Sequence, residues 1–176
     1  PRAPDRGSSA EAYVPLTGEW WLAQSAPRRY GFVVGSIDCF FGDVGGESVA
    51  GDSSFQSLTK HTSAYFAAHP DRKPEAVGDV VLGKSFRGGA RQVRPEWHAN
   101  WDGNYWVNMY FSGDSLHGEE QLGFLEGYLD CYRRFKPDGN DVFPKPAAVY
   151  QGEISSWYGF DSTSGDRIAD RESVPI

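Results

Sequence analysis

The clearest helical pattern in the chain lies between residues 118 and 134. Acidic residues stand at the start of this stretch, arginines stand at its end, and good helix formers fill the positions between them. The apolar stretch 28–41, taken alone, suits a buried strand as well as a helix. Because residues 31–40 match residues 123–132, we predict that both stretches are helices.

Local start signals support these helices and add shorter ones. Residues 17–22 are predicted as a short helix with Thr17 as its N-cap, and Ser25 caps the next helix, with Pro27 in its first turn. The aromatic run 97–111 suits a strand by its residue preferences. Its likeness to residues 17–22 favours a short helix instead.

Three further helices follow from apolar faces and boundary signals. Residues 53–69 begin with a capping box and end before Pro70. Their inward face is formed by Phe55, Leu58, Thr62, Tyr65 and Phe66. A counterpart begins after Pro146, and its inward residues are Val149, Tyr150, Ile154, Trp157 and Tyr158. Residues 74–86 are predicted as a third helix of the first half, and residues 42–52 as a loop rich in glycine and serine.

A ten-residue motif occurs twice in the chain. Residues 31–40 read GFVVGSIDCF and residues 123–132 read GFLEGYLDCY, so the two copies lie 92 positions apart. Both cysteines of the protein lie in these copies. A weaker match, LTGEWW against WDGNYW, lies upstream of each copy, at 16–21 and 101–106. Two ordered matches in each half indicate an internal duplication.

The duplication predicts an all-α fold of two tandem helical repeats that are related by a pseudo-two-fold axis and share one core. A chain of 176 residues can bury one good core, or two half-sized units that share one. The predicted organisation is a flexible lead-in at 1–12, repeat 1 at 13–86, a linker at 87–96 and repeat 2 at 97–176. We expect the second repeat to be truncated, since the sequence ends where its third helix would develop.

Charge and hydropathy argue against two classes of partner. The sequence has 17 basic and 24 acidic residues, and its formal charge of −7 opposes general binding to nucleic acids or anionic membranes. The basic stretch 84–94 suits a solvated connector, with an anion site as the alternative. No apolar run is long enough to cross a bilayer. The polar residues 1–10 suit a lead-in behind a removed signal peptide, so we expect an exported protein, periplasmic or secreted.

Two pairs of glycines, each four residues apart, form a stripe on each of the two main helices. They are Gly31 and Gly35 in the first repeat and Gly123 and Gly127 in the second. A glycine within a helix costs about 0.5–1 kcal/mol relative to alanine, so four of them need a compensating contact. Close approach of another helix or of a ligand would supply it. We predict contact between helices, with the other repeat as the partner.

The aspartate of each motif copy allows two interpretations. Asp38 and Asp130 lie on the same stripe as the glycines, one turn further on. They would form a carboxylate pair across the axis, which would serve acid–base chemistry or hold a cation. Alternatively, each carboxylate is structural and accepts hydrogen bonds from backbone N–H groups, from an arginine, or from a tryptophan indole such as that of Trp21 or Trp106. A buried pair without donors would be costly, which favours the structural role.

The cysteines and aromatic residues also leave alternatives open. Cys39 and Cys131 would form a disulfide between the repeats if they lie near the axis, and would be small buried apolar residues if they do not. Aromatic side chains, Trp21 and Trp106 among them, would line a groove for a ligand or fill the core. No metal-type histidine spacing, Cys-x-x-Cys or glycine-rich phosphate loop occurs, so neither a metal nor a cofactor is predicted.

A Gly-x-x-Trp turn followed by G-F-x-x-G-x-x-D-C resembles small exported bacterial helical proteins. Among these, the sequence is similar to the periplasmic immunity proteins that neutralise amidase effectors of type VI secretion systems. The tandem duplication departs from the single unit expected in that family. The resemblance implies a periplasmic inhibitor that plugs the groove of an enzyme, and it carries over no site residue.

Two functions are therefore expected from the sequence. The first is an exported, non-enzymatic bacterial binding or inhibitor protein whose partner is another protein. The alternative is a hydrolase or cation-dependent enzyme that uses Asp38 and Asp130. We prefer the first, because a scaffold inherited by duplication keeps both aspartates, whereas an active site needs only one working copy. The sequence assigns no oligomeric state.

Overall fold

The computed structural model describes residues 13–44, 49–50, 55–84, 90–91, 106 and 115–158, and this part of the chain is mostly helical. Its α-helices are α1 Gly18–Ala23, α2 Ala26–Gly42, α3 Phe55–Ala68, α4 Val77–Asp79, α5 Ser115–Phe135, α6 Gly139–Val142 and α7 Ala147–Tyr158. A 3-10 turn covers Pro70–Arg72, and a π-helical turn continues α4 over Val80–Lys84. The predicted all-α class is confirmed.

Helix α2 forms as the repeated motif predicted, although its composition also suited a strand. Ser25 is its N-cap, and the side-chain oxygen accepts a hydrogen bond from the backbone N–H of Arg28 at 3.3 Å. Pro27 lies in the first turn, where its missing N–H leaves no helical bond unmade. Thr17 precedes α1 with an extended backbone but makes no side-chain capping bond, so only its position was predicted correctly.

Helices α2 and α5 make the most extensive contact between any two described elements. A Cβ atom placed on Gly31 would lie 2.0 Å from the carbonyl oxygen of Glu120, and one on Gly35 would lie 2.0 Å from that of Phe124. Advancing by four residues on α2 thus advances by four residues on α5, so the two helices run in the same direction. Only glycine allows two backbones to come this close.

The same contact is made in reverse by the glycines of α5. A Cβ atom on Gly123 would lie 2.0 Å from the carbonyl oxygen of Arg28, and one on Gly127 would lie 2.1 Å from that of Phe32. Each of the four glycines therefore lies over the carbonyl group three residues before its counterpart on the other helix. The buried hydroxyl of Ser36 adds a hydrogen bond to the carbonyl oxygen of Gly127 at 3.3 Å. This is contact between helices, the kind expected from the two stripes.

Two groups of buried apolar side chains lie on either side of the glycine contact. The first, packed among α1, α2, α3 and α4, contains Trp21, Phe32, Val33, Ile37, Leu58, Phe66, Val77, Val80 and Val81. The second, packed among α2, α5 and α7, contains Val34, Trp106, Phe124 and Leu125, with Tyr150 and Ile154 against it. Helix α2 contributes buried residues to both groups, and Phe55 of α3 packs against both.

Two predictions about the first half are corrected by the structure. Residues 42–52 are not all loop, because β1, Val49–Ala50, pairs antiparallel with β2, Ala90–Arg91. The helix predicted over 74–86 begins only at Val77 and becomes π-helical after three residues. Residues before Val77 pair with the segment ahead of α1 instead, as the isolated bridge between Thr17 and Ala76 shows.

The inward face of α7 is narrower than predicted. Tyr150 and Ile154 pack against the second apolar group, whereas Val149 is 44% exposed and Trp157 is 43% exposed. Positions 150 and 154 are one helical turn apart and define the buried stripe. Position 149 lies off this stripe, whereas 157, seven residues after 150, lies on it and is exposed near the end of α7. The predicted inward positions of Val149 and Trp157 are therefore wrong.

Several predictions concern residues outside the described ranges. They are the lead-in 1–12, the capping box at Ser53, the linker 87–96 apart from its strand, the run 97–111 apart from Trp106, the side chain of Tyr158 and the stretch 159–176. Among the residues that the structure describes, no helix combines the length and apolar character that crossing a membrane requires.

Two glycines of α5 allow a matched test of the helix contact. A Cβ atom on Gly127 would meet the Phe32 carbonyl group, whereas one on Gly118 would meet nothing within 4 Å. We expect Gly127→Ala to lower the free energy of unfolding by about 1–3 kcal/mol through overpacking. Gly118→Ala should leave it unchanged or raise it by up to about 1 kcal/mol through helix propensity. Urea unfolding followed by circular dichroism measures both, and equal effects would contradict the contact.

Candidate functional site

The carboxylate of Asp130 on α5 is only 3% exposed and has three hydrogen-bond donors. Its Oδ1 accepts from the hydroxyl of Tyr13 and from the backbone N–H of Leu16 at 3.2 Å. Its Oδ2 accepts from Nη2 of Arg134 at 2.9 Å. The other terminal nitrogen of this guanidinium, Nη1, donates to Asp79 at 2.6 Å. These bonds tie α4 and the segment ahead of α1 to helix α5.

Backbone pairing brings the segment 13–18 to this carboxylate. The N–H of Val77 donates to the carbonyl oxygen of Leu16 at 2.8 Å, and the N–H of Gly18 donates to that of Glu75 at 3.1 Å. The segment is thus held along the residues that lead into α4. Tyr13 and Leu16 meet α5 because this pairing fixes their backbone.

Gly78 is the residue at which α4 packs against the ion pair of Asp130 and Arg134. A Cβ atom there would lie 2.7 Å from Oδ2 of Asp130 and 2.8 Å from Nη2 of Arg134, so a larger residue would push α4 away from the ion pair. Burial raises the pKa of Asp130 above its usual value, although Arg134, Tyr13 and Leu16 all act to lower it. Burial and the neighbouring carboxylate raise the pKa of Tyr13, so its phenol stays protonated and donates.

The two motif aspartates act on different groups. Asp130 raises the pKa of Tyr13, after burial, which is the larger cause. Asp38, half-buried on α2, contributes to the raised pKa of Tyr128, where burial and the hydrogen bond to Asp43 are the larger causes. Residue 42, four positions after Asp38, is glycine where the second repeat has Arg134. That Asp38 and Asp130 act together as a carboxylate pair in one site stays a prediction.

Trp21 and Trp106 have no exposed surface. The indole N–H of Trp21 donates to the hydroxyl of Ser63 at 3.1 Å, and that of Trp106 donates to the hydroxyl of Ser155 at 3.0 Å. The predicted bonds from these indoles to the aspartates are wrong, because an indole has a single N–H and each is already given to a serine. Both tryptophans are core residues in this structure.

Cys39 and Cys131 are buried free thiols. A hydrogen bond to the thiol of Cys131, together with burial, raises the pKa of Cys39 well above its usual value. The two side chains therefore meet at the contact between α2 and α5. Of the two alternatives left open by the sequence, this structure has the buried free thiols and not the disulfide.

A cleft of about 630 Å³ opens beside Asp130. It lies between the segment ahead of α1 and the part of the chain that runs from α5 through α6 to the start of α7. Its lining combines the apolar side chains of Leu16, Leu129 and Phe143 with the charged side chains of Glu126, Arg133 and Lys145. A concave surface of this composition suits a binding site for a small molecule or for a protruding protein segment.

Two charged side chains that line the cleft are held by partners within the protein. Glu126 accepts two hydrogen bonds from Arg28, at 2.8 and 2.6 Å. Arg133 donates through Nη2 to the carbonyl oxygens of Phe143 and Lys145, at 2.7 Å in each case. The chain between α6 and α7 is thereby fixed to α5, so the wall of the cleft is formed before any ligand arrives.

Sequence reasoning found Asp130 and two kinds of donor that it has, a backbone N–H and an arginine, but did not identify the residues that supply them. Arg134 lies four residues further along the same helix, and that spacing was a readable signal for an ion pair. Tyr13 and Leu16 are 117 and 114 positions away in the chain, and no local pattern connects them to Asp130. Within the described ranges, no group of three or more His, Cys, Asp and Glu side chains could hold a metal ion.

Comparison with known proteins yields no match of any of three kinds. No family model matches the chain, and neither a curated protein nor a solved structure is similar to it. The functional interpretation therefore depends on the contacts of Asp130 and on the cleft beside it.

The contacts of Asp130 predict a loss of stability when its charge is removed. Asp130→Asn replaces an acceptor of Arg134 by an amide whose own N–H groups face other donors, so we expect the free energy of unfolding to fall by about 1–3 kcal/mol. The exposed Asp141, which lines the same cleft, is the matched control, and Asp141→Asn should change stability by less than about 0.5 kcal/mol. Thermal melts compare the two, and similar melting temperatures would contradict the structural role.

Proposed function

We propose that this protein is an exported, non-enzymatic binding protein whose partner is another protein. The occupied carboxylate of Asp130 is the observation that carries the proposal. A catalytic carboxylate must present an oxygen to substrate or water. In Asp130 both oxygens already accept hydrogen bonds, from Tyr13 and Leu16 on one side and from Arg134 on the other. Such a carboxylate supports the scaffold.

The cleft beside Asp130 is the face we assign to the partner. Val14 lines it with 78% of its surface exposed, and Val142 and Val149, close in the chain to lining residues, are 46% and 44% exposed. Large apolar side chains exposed around a concave surface are typical of protein-binding sites. Because Arg133 fixes one wall in advance, binding would lose little conformational entropy on that side.

The sequence resemblance supplies the class of partner and the location. The two motif copies resemble periplasmic immunity proteins that neutralise amidase effectors, so the proposed partner is an enzyme of the bacterial envelope. In this proposal the protein blocks the groove of that enzyme from within the periplasm. The repeated motif is the observation that supports this class of partner and this location.

A hydrolase or cation-dependent enzyme is the second candidate. It is favoured by one observation: Asp130 lines a cleft, and burial raises its pKa, as is common for general acids. This function would require Asp130 to exchange Arg134 for a substrate group, with Asp38 as the second carboxylate. The three existing donors make that exchange costly, so we rank this function second.

We also propose that the chain consists of two duplicated helical repeats related by a pseudo-two-fold axis. The reciprocal glycine contacts support this, since exchanging α2 and α5 leaves their pattern unchanged. The two Trp–Ser bonds support it as well, because Ser63 and Ser155 lie 92 positions apart, as the motif copies do. Helices α3 and α7 begin at Phe55 and Ala147, again 92 apart.

An experimental structure tests the duplication. Residues 26–42 with 55–66 should superpose on residues 118–134 with 147–158 by a single rotation close to 180°, with little translation along the axis. Crystallography of the full chain provides the coordinates. A rotation far from 180°, or a need to move the two helices of one half separately, would contradict a pseudo-two-fold relation.

The binding proposal is tested with one variant in the cleft and one outside it. Val14→Arg places a charge on the exposed apolar lining without entering the core, and Lys60→Glu alters a distant exposed position on α3. Immobilised parent protein should capture a specific protein from envelope extract, and the purified partner should bind Lys60→Glu normally. Its affinity for Val14→Arg should fall by about tenfold or more in calorimetric titration.

Two outcomes would contradict the binding proposal. Equal affinity of the partner for both variants would exclude the cleft as the binding face. Turnover of an envelope substrate by the parent, lost in a folded Asp130→Asn variant, would favour the hydrolase.

A further inference from the structure

Cys39 and Cys131, the only cysteines of the chain, lie at equivalent positions of the contact between α2 and α5. Each follows the second glycine of its stripe by four residues and so lies on the same face, one turn further on. The two helices run in the same direction and in register at the glycines. The next turn of both helices therefore places the two cysteines opposite each other.

The immediate surroundings of the two sulfur atoms fit a covalent link. Cys39 is 0% exposed and Cys131 is 1% exposed, and Cys131 is the neighbour that contributes most to the raised pKa of Cys39. A disulfide needs two backbones close enough for the Cβ atoms to approach each other, which most helix pairs do not provide. Here the glycine contact one turn away brings the backbones together.

We propose that Cys39 and Cys131 form a disulfide that joins α2 to α5 when the chain folds under oxidising conditions. The two thiols release two protons and two electrons, and one S–S bond forms between them. A disulfide of the glutathione type, or the disulfide of a thiol oxidase, takes up these electrons and protons and is reduced to two thiols. The structure described above is then the reduced form. This inference does not depend on the proposed binding function.

Burial determines when this bond can form. In the folded chain, the hydrogen bond to Cys131 and burial raise the pKa of Cys39, so the reactive thiolate is rare and an external disulfide cannot reach it. The exchange must therefore take place before α2 and α5 close on each other. The redox state of the compartment in which the chain folds then determines whether the folded protein contains the disulfide or the two thiols.

Refolding under two redox conditions tests the proposal. The unfolded, reduced chain is refolded once with a mixture of oxidised and reduced glutathione and once with a phosphine reductant. Peptide mapping by mass spectrometry should find Cys39 linked to Cys131 in monomeric protein from the first sample only. Closing a loop of about 92 residues should raise the melting temperature by about 10 °C or more over the reduced form. Folded protein placed in the same glutathione mixture should keep its thiols while the refolding sample is fully oxidised.

The control is a variant that lacks both thiols and gains no polar group in their place. The double variant Cys39→Ala with Cys131→Ala should give one melting temperature after both refolding procedures. Absence of the linked peptide, links formed only between different chains, or equal melting of the linked and reduced forms of the parent would each overturn the proposal.

Discussion

Backbone contact between α2 and α5 is the interaction on which the other described elements depend. Four glycines make it, at a cost of about 2–4 kcal/mol in helix propensity. Dispersion contacts between the two backbones offset this cost, and so do the apolar groups that form on both flanks. Glycines four residues apart also allow close contact between helices in membranes, where the hydrophobic effect does not drive the helices together. Here they set the separation of two helices that also bury apolar side chains in water.

The two copies of the motif share this contact and differ in what surrounds it. Arg134 stands where the first repeat has Gly42, so only Asp130 has a cation four residues further along its own helix. The N-terminal segment and α4 then enclose that ion pair, with Gly78 at the point of closest approach. The cleft lies next to this enclosed cluster, between the segment ahead of α1 and residues 126–147. The difference between Gly42 and Arg134 therefore lies beside the face that we propose for a partner.

Local signals in the sequence were enough to predict the main helices and the glycine stripes. Ser25 and Pro27 mark the start of α2, and the repeated motif decides between helix and strand where composition alone did not. The β1–β2 pair, the late start of α4 and two of the three donors of Asp130, Tyr13 and Leu16, depend on residues distant in the chain, which no local pattern connects. Val149 and Trp157 were placed inward because they are apolar, yet Val149 lies off the buried stripe of α7 and Trp157 is exposed near the end of that helix.

The reciprocal form of the glycine contact has a consequence for a single repeat. A surface that packs against its own equivalent is the kind found between the subunits of a symmetric homodimer. One repeat alone would leave its glycine stripe uncovered, and a second copy of itself would be the surface that fits it best. Joining two copies in one chain turns that bimolecular assembly into an intramolecular step at an effective concentration of about millimolar. In the proposed duplication, each half would also be free to change without its equivalent changing too, as the difference between Gly42 and Arg134 illustrates.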